Sequence, residues 1–229
     1  MNVTLVITTC NRTDLLERTI FSFCKFNTYP IKKIIIIEDS GISQNFSKVE
    51  SIVKTDIIII KNPTNLGQIA SIDKAYSLVE TDYIFHCEED WEFYNTGFIE
   101  KSFEILSADE KIFTVWLRAH TDTKNHTILK DQKYFINDDF YYKMDPEHKK
   151  VWCGFTLNPG LRRTVDCMKL HPYNELPVKV IKNGLELMGE VDLSLYYKDL
   201  GYYGAITSRE EGFVRHLGGK RHVPLPWQK

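Results

Sequence analysis

Three consecutive carboxylates are the residues of this chain whose types and spacing most directly suggest chemistry. Glu88, Glu89 and Asp90 follow a strand-forming run at residues 83–87, and Trp91 comes directly after them. Like charges this close raise one another's pKa unless a cation lies among them, and a divalent metal with hard oxygen ligands is the usual partner. The pattern predicts either a metal site or an acidic turn at the solvated end of a strand, and these residues alone leave both open.

The composition indicates that these acids belong to an ordinary soluble domain. The 229 residues are 43% hydrophobic and 26% charged, with a formal net charge of -2, which argues against general nucleic-acid binding. No apolar run reaches membrane-spanning length, and the residues after Met1 lack the pattern of a signal peptide. Five cysteines without CxxC spacing predict neither a disulfide framework nor a zinc site. We therefore expect a soluble cytoplasmic protein in a reducing compartment, without a transmembrane segment.

Alternating strands and helices are predicted over the first ninety residues. Strands are expected at 3–9, 33–38 and 56–61, and a fourth in the stretch at 83–93, whose apolar run ends at the three acids. Their nearly continuous isoleucine and valine content predicts a parallel sheet that is covered by helices on both faces. Because ligands of such sheets bind at the carboxyl ends of the strands, Asn11, Asp39 and the three acids are expected to face one crevice.

The second half of the sequence is less regular. A helix is predicted at 98–106, a strand at 112–117, a strand closed by a turn at 151–160, a helix at 188–200 and a final strand at 202–206. Residues 118–150 are polar and show no stable pattern, so we interpret them as a long loop that serves in binding. No linker-like segment divides the chain, and a single domain over 1–229 is therefore expected.

Five short motifs now resemble a known family. They are Val-Ile-Thr-Thr-Cys-Asn-Arg (6–12), Ile-Ile-Glu-Asp-Ser-Gly (36–41), Asn-Leu-Gly-Gln-Ile-Ala-Ser (65–71), Phe-His-Cys-Glu-Glu-Asp-Trp (85–91) and Gly-Glu-Val-Asp-Leu-Ser-Leu (189–195). Their order and their places at strand ends resemble those of GT-A-fold glycosyltransferases similar to glycosyltransferase family 2. The resemblance implies a GT-A-like α/β sandwich with a mostly parallel central sheet and helices on both faces. Residues 1–93 would bind the nucleotide sugar, and residues 94–229 would bind the acceptor.

The resemblance also implies a reaction and a donor site. Such enzymes bind a nucleoside-diphosphate sugar, here a UDP-sugar by resemblance only, together with Mn2+ or Mg2+. They transfer a hexose or deoxyhexose, with inversion, to a sugar hydroxyl of a glycan or glycoconjugate. The residues implied in donor binding are Thr9, Asn11, Arg12, Glu38, Asp39, Asn65, Gly67, Glu89 and Glu88. For Asp39, an Asx turn after a strand is the competing explanation.

Metal ligands follow from the same resemblance. Glu88 and Asp90 resemble the ends of the family's Asp-x-Asp motif, with Glu in place of the first Asp, and Asp90 is the better candidate for direct ligation. His216 resembles a C-terminal metal ligand. Arg215, Lys220 and Arg221 are placed by the resemblance on a glycine-hinged loop that would hold the diphosphate.

The catalytic base is implied at the start of the helix at 188–200. Glu190 resembles the residue that deprotonates the acceptor hydroxyl, and Asp192 is the second candidate because the motif aligns one step either way. A carboxylate suffices for this role, since it takes the proton as attack proceeds. The competing explanation is that both acids only favour the positive end of a helix.

Other functions account for the same elements less well. A relative without catalytic activity would bind a nucleotide sugar or a glycan as a module, and would release no nucleoside diphosphate. A nucleotidyltransferase would need a glycine-rich basic loop where residues 8–12 stand, and a dinucleotide-binding dehydrogenase would need G-x-G-x-x-G after residues 3–9.

Overall fold

The computed structural model describes residues 1–148, 154–181 and 188–218, and the elements below lie within them. The helices are α1 (Thr13–Phe26), α2 (Ser47–Ile52), α3 (Gln68–Tyr76), α4 (Phe98–Ala108), α5 (Thr164–Met168) and α6 (Glu190–Asp199). The strands are β1 (Val3–Thr9), β2 (Lys33–Glu38), β3 (Ile57–Lys61), β4 (Tyr83–Glu88), β5 (Trp91–Phe93), β6 (Ile112–Trp116), β7 (Ile128–Ile136), β8 (Asp139–Met144), β9 (Gly160–Arg163), β10 (Tyr203–Thr207) and β11 (Val214–His216).

The first sheet has the order β3-β2-β1-β4-β9, and its first four strands are parallel. Strand β9 pairs with β4 in the antiparallel direction and closes that side. Successive side chains of β1 point to opposite faces, so that Leu5 and Ile7 enter one core cluster and Val6 enters the other. Helix α1 packs on the first cluster through Leu16, and α3 packs on the second through Ile72. The predicted sheet with helices on both faces is confirmed.

The second half forms a mixed sheet of order β6-β10-β8-β7. Strand β10 runs parallel to β6 and antiparallel to β8. The short strands β5 and β11 pair with each other in the antiparallel direction, directly after the three acids. This second pairing brings the chain near residue 216 back to the end of β4.

The prediction of a loop throughout 118–150 is wrong for residues 128–144. These residues form the β7-β8 hairpin, whose turn contains Asn137 in a left-handed conformation with φ 49°. Strand β7 is the edge of its sheet and carries exposed polar residues such as Lys130 and Asp131. These polar residues hide the alternation by which a strand is recognised in a sequence.

Two further predictions need correction. Residues 154–159 form no strand, and the strand begins at Gly160 instead, while residues 151–153 lie outside the described residues. Strand β10 is not the final strand, because β11 follows it and is too short to show a pattern.

None of the described helices combines the length and the apolar character that crossing a bilayer would require.

Candidate active site

The carboxyl ends of the parallel strands meet at one edge of the first sheet. Thr9 of β1 lies beside Glu38 of β2, and Thr8 lies beside Glu88 of β4. The residues that follow these strands therefore share a single crevice, as expected from the sequence. Each of their carboxylates has its own set of partners.

Glu38 holds the turn after β1. Its carboxylate is buried and accepts the backbone N–H of Asn11 at 3.0 Å and that of Ser40 at 2.8 Å. Asn11 adopts a left-handed conformation with φ 54°, which asparagine tolerates better than most residues. Its side-chain oxygen accepts the amide of Gln44 at 2.7 Å. Glu38 thus fixes the backbone of the turn after β1.

Asp39 holds the loop between β3 and α3. It accepts the backbone N–H groups of Leu66 and Gly67 and the side-chain amide of Asn62, each at 2.8 Å. Its partners lie far along the chain, so its carboxylate does not form the local Asx turn that competed as an explanation. Gly67 has φ 91°, a conformation that requires glycine.

Two buried polar atoms near these turns have no hydrogen-bond partner among the described residues. They are the hydroxyl of Thr9 and the side-chain oxygen of Asn65. The amide nitrogen of Asn65 lies 3.5 Å from the sulfur of Cys10, which ties this loop to the turn after β1. Buried polar atoms without partners are uncommon in proteins and are expected where a ligand supplies the missing bond.

Glu88 lies at the centre of the negative charge. It accepts the side-chain amide of Gln68 at 2.7 Å and the indole N–H of Trp91 at 3.4 Å. Burial, followed by the charges of Asp90, Glu190 and Glu89, raises the pKa of Glu88 to about 8. Among these charges, that of Glu190 comes from the start of α6.

The side chain of Glu89 contacts the turn after β1. Its carboxylate accepts the backbone N–H of Cys10 at 3.2 Å and the Nε of Arg12 at 2.7 Å. Burial raises the pKa of Glu89, and Arg12 opposes that rise. Glu89 and Arg12, both implied in donor binding by the resemblance, thus contact each other in this structure.

Asp90 is held through one of its two carboxylate oxygens. Oδ2 accepts Nη1 of Arg12 at 2.9 Å and lies 3.3 Å from Nε2 of His216. Burial disfavours the charged carboxylate, but the hydrogen bonds and charges of His216 and Arg12 outweigh burial and lower the pKa of Asp90. Oδ1 is buried and has no partner in the part of the chain that the structure describes.

These contacts fit a divalent ion only in part. A carboxylate oxygen without a partner and an adjacent imidazole are donors that Mn2+ accepts, and Mg2+ prefers the oxygen. Within residues 1–148, 154–181 and 188–218, no group of three or more His, Cys, Asp or Glu side chains is placed to hold a metal. The donor set therefore fits an ion that takes its remaining ligands from a bound substrate.

The two acids at the start of α6 differ in their partners. Asp192 is buried and accepts three backbone N–H groups, from Lys179 at 2.7 Å, Val180 at 2.8 Å and Gly189 at 3.1 Å. Glu190 accepts the N–H of Leu157 at 2.6 Å, and its charge acts on Glu88. These contacts favour Glu190 over Asp192 as the group that faces the crevice.

Arg215 is not brought to Glu88, Glu89 and Asp90. Arg215 alternates with His216 along β11, is mostly exposed and pairs with Glu92. Lys220 and Arg221 lie outside the described residues.

Three residues of the site have no prediction from the sequence. Gln68 bonds to Glu88, Asn62 bonds to Asp39, and Gly218 lies so close to Asp90 that a Cβ added to it would be 2.1 Å from Oδ2. Asn62 comes directly after the last residue of β3, and Gln68 comes directly after the turn that ends at Gly67. The position of both near the crevice was therefore detectable from the sequence. Gly218 contacts Asp90, which lies far from it in the sequence, so the residues around position 218 give no indication of this contact.

Comparisons with known proteins identify the family. The family model described as Glycosyl transferase family 2 matches residues 4–167. The chain belongs to this family. Its match includes the three acids and the first four motifs and confirms the family resemblance, while the fifth motif (189–195) lies beyond the matched residues. No curated protein matches the chain.

The fold of this family 2 chain is similar to the folds of several solved structures. It is similar to the mannosyltransferase PcManGT from Pyrobaculum calidifontis in complex with GDP-Man and Mn2+, with a TM-score of 0.65 and 13% identity over 96% of this chain and 58% of that chain. It is also similar to S. aureus TarS 1-349 in complex with UDP-GlcNAc, with a TM-score of 0.64 and 12% identity over 97% and 62%. A third similar structure is GalNAc-T7 with UDP, GalNAc and Mn2+, with a TM-score of 0.63 and 14% identity over 99% of this chain and 45% of that chain.

These likenesses confirm the GT-A-like fold. Sequence identities this low are evidence for a shared fold and for no other shared property. The chain spans less than two thirds of the length of each of these structures.

Proposed function

We propose that this chain is a metal-dependent, inverting glycosyltransferase. It would move a hexose or deoxyhexose from a nucleoside-diphosphate donor, a UDP-sugar, to a sugar hydroxyl of a glycan or glycoconjugate. The observation that carries the proposal is the group of acids that follows β4 at the carboxyl edge of the first sheet, in which buried Asp90 keeps one carboxylate oxygen without a partner among the described residues. Membership of family 2 supports the reaction class. The GDP-Man, UDP-GlcNAc and Mn2+ of the similar structures support the choice of donor and metal.

The donor would bind against the turns after β1 and β2. Asp39 and Glu38 set the positions of the two loops, and the unpartnered polar atoms of Thr9 and Asn65 remain to bond with the base and ribose. Asn11 presents its backbone at the same edge.

Asp90, with Glu88 and His216, would hold Mn2+ or Mg2+. Oδ1 of Asp90 is the oxygen whose lone pairs have no partner in the described residues, and the lowered pKa keeps this carboxylate ionised. When bound, the ion would neutralise the donor diphosphate and stabilise the leaving nucleotide. The donor diphosphate would also supply the ligands that the protein side chains lack.

Glu190 would take the proton from the acceptor hydroxyl. The N–H of Leu157 holds one of its oxygens, and the effect of its charge on Glu88 supports a position beside the acids at the end of β4. The acceptor oxygen would then attack the anomeric carbon from the face opposite the leaving diphosphate, which inverts that centre. Proton transfer to a positioned carboxylate contributes roughly 100- to 10,000-fold to such a rate.

Ligand-induced thermal stabilisation tests the proposal. The purified protein is heated with a panel of nucleoside diphosphates and nucleotide sugars, each with and without Mn2+, because specific binding to the native state raises the melting temperature. We expect one nucleoside diphosphate, UDP, to stabilise the protein when Mn2+ is present. The shift should vanish in Asp90→Ala and persist in Asp131→Ala, which changes an exposed residue of β7.

Donor turnover separates an enzyme from a binding module. Release of nucleoside diphosphate from the stabilising nucleotide sugar would support the enzyme, and stabilisation without release would support the inactive module. Absence of stabilisation by every member of the panel would contradict the proposed donor site.

A further inference from the structure

The side chain of Arg12 lies between two of the three acids. Its Nε is 2.7 Å from Oε1 of Glu89, and its Nη1 is 2.9 Å from Oδ2 of Asp90. The side chains of Arg12, Glu89 and Asp90 are 15%, 4% and 6% exposed. Charge-assisted bonds at such low exposure are well ordered and little screened by salt.

Glu89 anchors this arginine to the sheet. The same oxygen that binds Arg12 also accepts the backbone N–H of Cys10 at 3.2 Å. The hydroxyl of Thr19, on α1, lies within hydrogen-bonding distance of the backbone oxygens of Glu89 and Trp91. The backbone and side chain of Glu89 are therefore both fixed, and Arg12 is fixed through them.

The arginine determines which oxygen of Asp90 is engaged. Oδ2 is held by Arg12, lies beside His216, and has Gly218 packed against it without room for a Cβ. Oδ1 is the buried oxygen that has no hydrogen-bond partner in the described parts of the chain. A rotation of the carboxylate would break the bond to Arg12, so the guanidinium favours one orientation.

We infer that Arg12 is a positioning residue for the metal site, which presents Oδ1 of Asp90 to the divalent cation. This role rests on the proposed function and differs from the nucleotide contact that the resemblance implies for Arg12. It depends on the planar fork of arginine, which donates to two carboxylates at once. A lysine ammonium at position 12 keeps the charge but is a single point on a flexible stem, so it cannot reproduce the bridge.

The charge-conserving variant Arg12→Lys therefore tests orientation separately from net charge. Mn2+ is titrated into the protein without nucleotide, and again with the nucleoside diphosphate that stabilises it, and the decrease of free Mn2+ is followed by electron paramagnetic resonance. We expect the Mn2+ affinity of Arg12→Lys to fall by about 10- to 100-fold, as is typical when a group that orients a ligand is changed. Binding of the nucleoside diphosphate in EDTA should be unchanged.

Arg163→Lys is the matched control. Arg163 has a similar side-chain exposure of 17% and pairs with Asp166 at 3.2 Å. It lies beside Tyr83, at the opposite end of β4 from Glu88. Its guanidinium also donates to backbone carbonyls, among them that of Ile112 at 2.9 Å. Arg163→Lys therefore removes a partly buried guanidinium without changing Glu88, Glu89 or Asp90, so the melting temperature should fall but the Mn2+ affinity should not.

The outcomes are distinct. Wild-type Mn2+ affinity in Arg12→Lys, or a loss of nucleoside-diphosphate binding in EDTA, would overturn the role of Arg12 and leave the proposed function standing. Failure of the wild-type protein to bind Mn2+ under both conditions would overturn the metal site and this inference with it. If Arg12→Lys does not fold, Glu89→Gln removes the anchor instead, with the same expected loss of Mn2+ affinity and the same contradicting results.

Discussion

Two pairs of acids, one at the end of β4 and one at the start of α6, are held in different ways. Asp90 and Glu89 are bridged by the guanidinium of Arg12, and His216 together with Arg12 lowers the pKa of Asp90 against the effect of burial. Asp192 is held by three backbone N–H groups at a helix start, and its neighbour Glu190 accepts the N–H of Leu157. Glu89 and Asp192 stabilise the fold, and we propose that Asp90 and Glu190 act on the ligand. The difference is that a side-chain cation orients the first pair, whereas backbone geometry orients the second.

The largest expected effect separates the two acids of the second pair. Glu190→Gln removes the proposed base but keeps the shape of the side chain, so turnover should fall roughly 100- to 10,000-fold. Thermal stabilisation by the donor with Mn2+ should be retained. Both are measured on the same preparation, and unchanged turnover would remove Glu190 from the proposed mechanism.

Asp192→Ala should act on stability instead of chemistry. It leaves three backbone N–H groups without their acceptor, which should lower the free energy of unfolding by about 2 kcal/mol or more. Urea denaturation measures the change, with Asp131→Ala as a control expected to stay within about 0.5 kcal/mol of the wild type. A stable Asp192→Ala protein that has lost its turnover would reverse the assignment of the two acids.

Gly218→Ala sharpens the comparison at Asp90. The new methyl group would lie 2.1 Å from Oδ2, so either the segment or the carboxylate must shift. We expect a cost of about 1 kcal/mol in stability together with a higher Mn2+ concentration for half-maximal stabilisation. A second outcome is that the free energy of unfolding falls while the Mn2+ concentration for half-maximal stabilisation stays the same. In that case the segment around Gly218 has shifted instead of the carboxylate, and the orientation of Asp90 does not depend on this contact.

Much of the first half was predictable from the sequence because its signals are local. Uninterrupted isoleucine runs such as 34–37 indicated buried parallel strands, and the polar residues after them were placed at one edge by topology alone. Positions of Asn11, Asp39 and Asp90 near a common crevice followed from that topology. Glu190 at the first residue of a helix was recognised by its acidic first turn and by the resemblance.

The remaining features depend on contacts between distant residues. Arg12 meets its two acids across 77 and 78 residues, and nothing near position 12 indicates a choice between a nucleotide and a carboxylate. The β7-β8 hairpin was missed because its edge strand carries charges at positions where a buried strand would be apolar. Likewise, two of the N–H groups that Asp192 accepts belong to Lys179 and Val180, which lie well before α6 in the sequence.

Because β5 pairs with β11, the surroundings of Asp90 are built from segments that are synthesised at different times. The sheet that carries Asp90 is encoded early, but β11, His216 and the N–H of Leu217 that bonds to the carbonyl of Asp90 emerge from the ribosome much later. A nascent chain with only its first half outside the ribosome exposes the acids before these partners exist. The surroundings of Asp90 are thus completed near the end of translation of the described residues, when the rest of the domain is already available to fold.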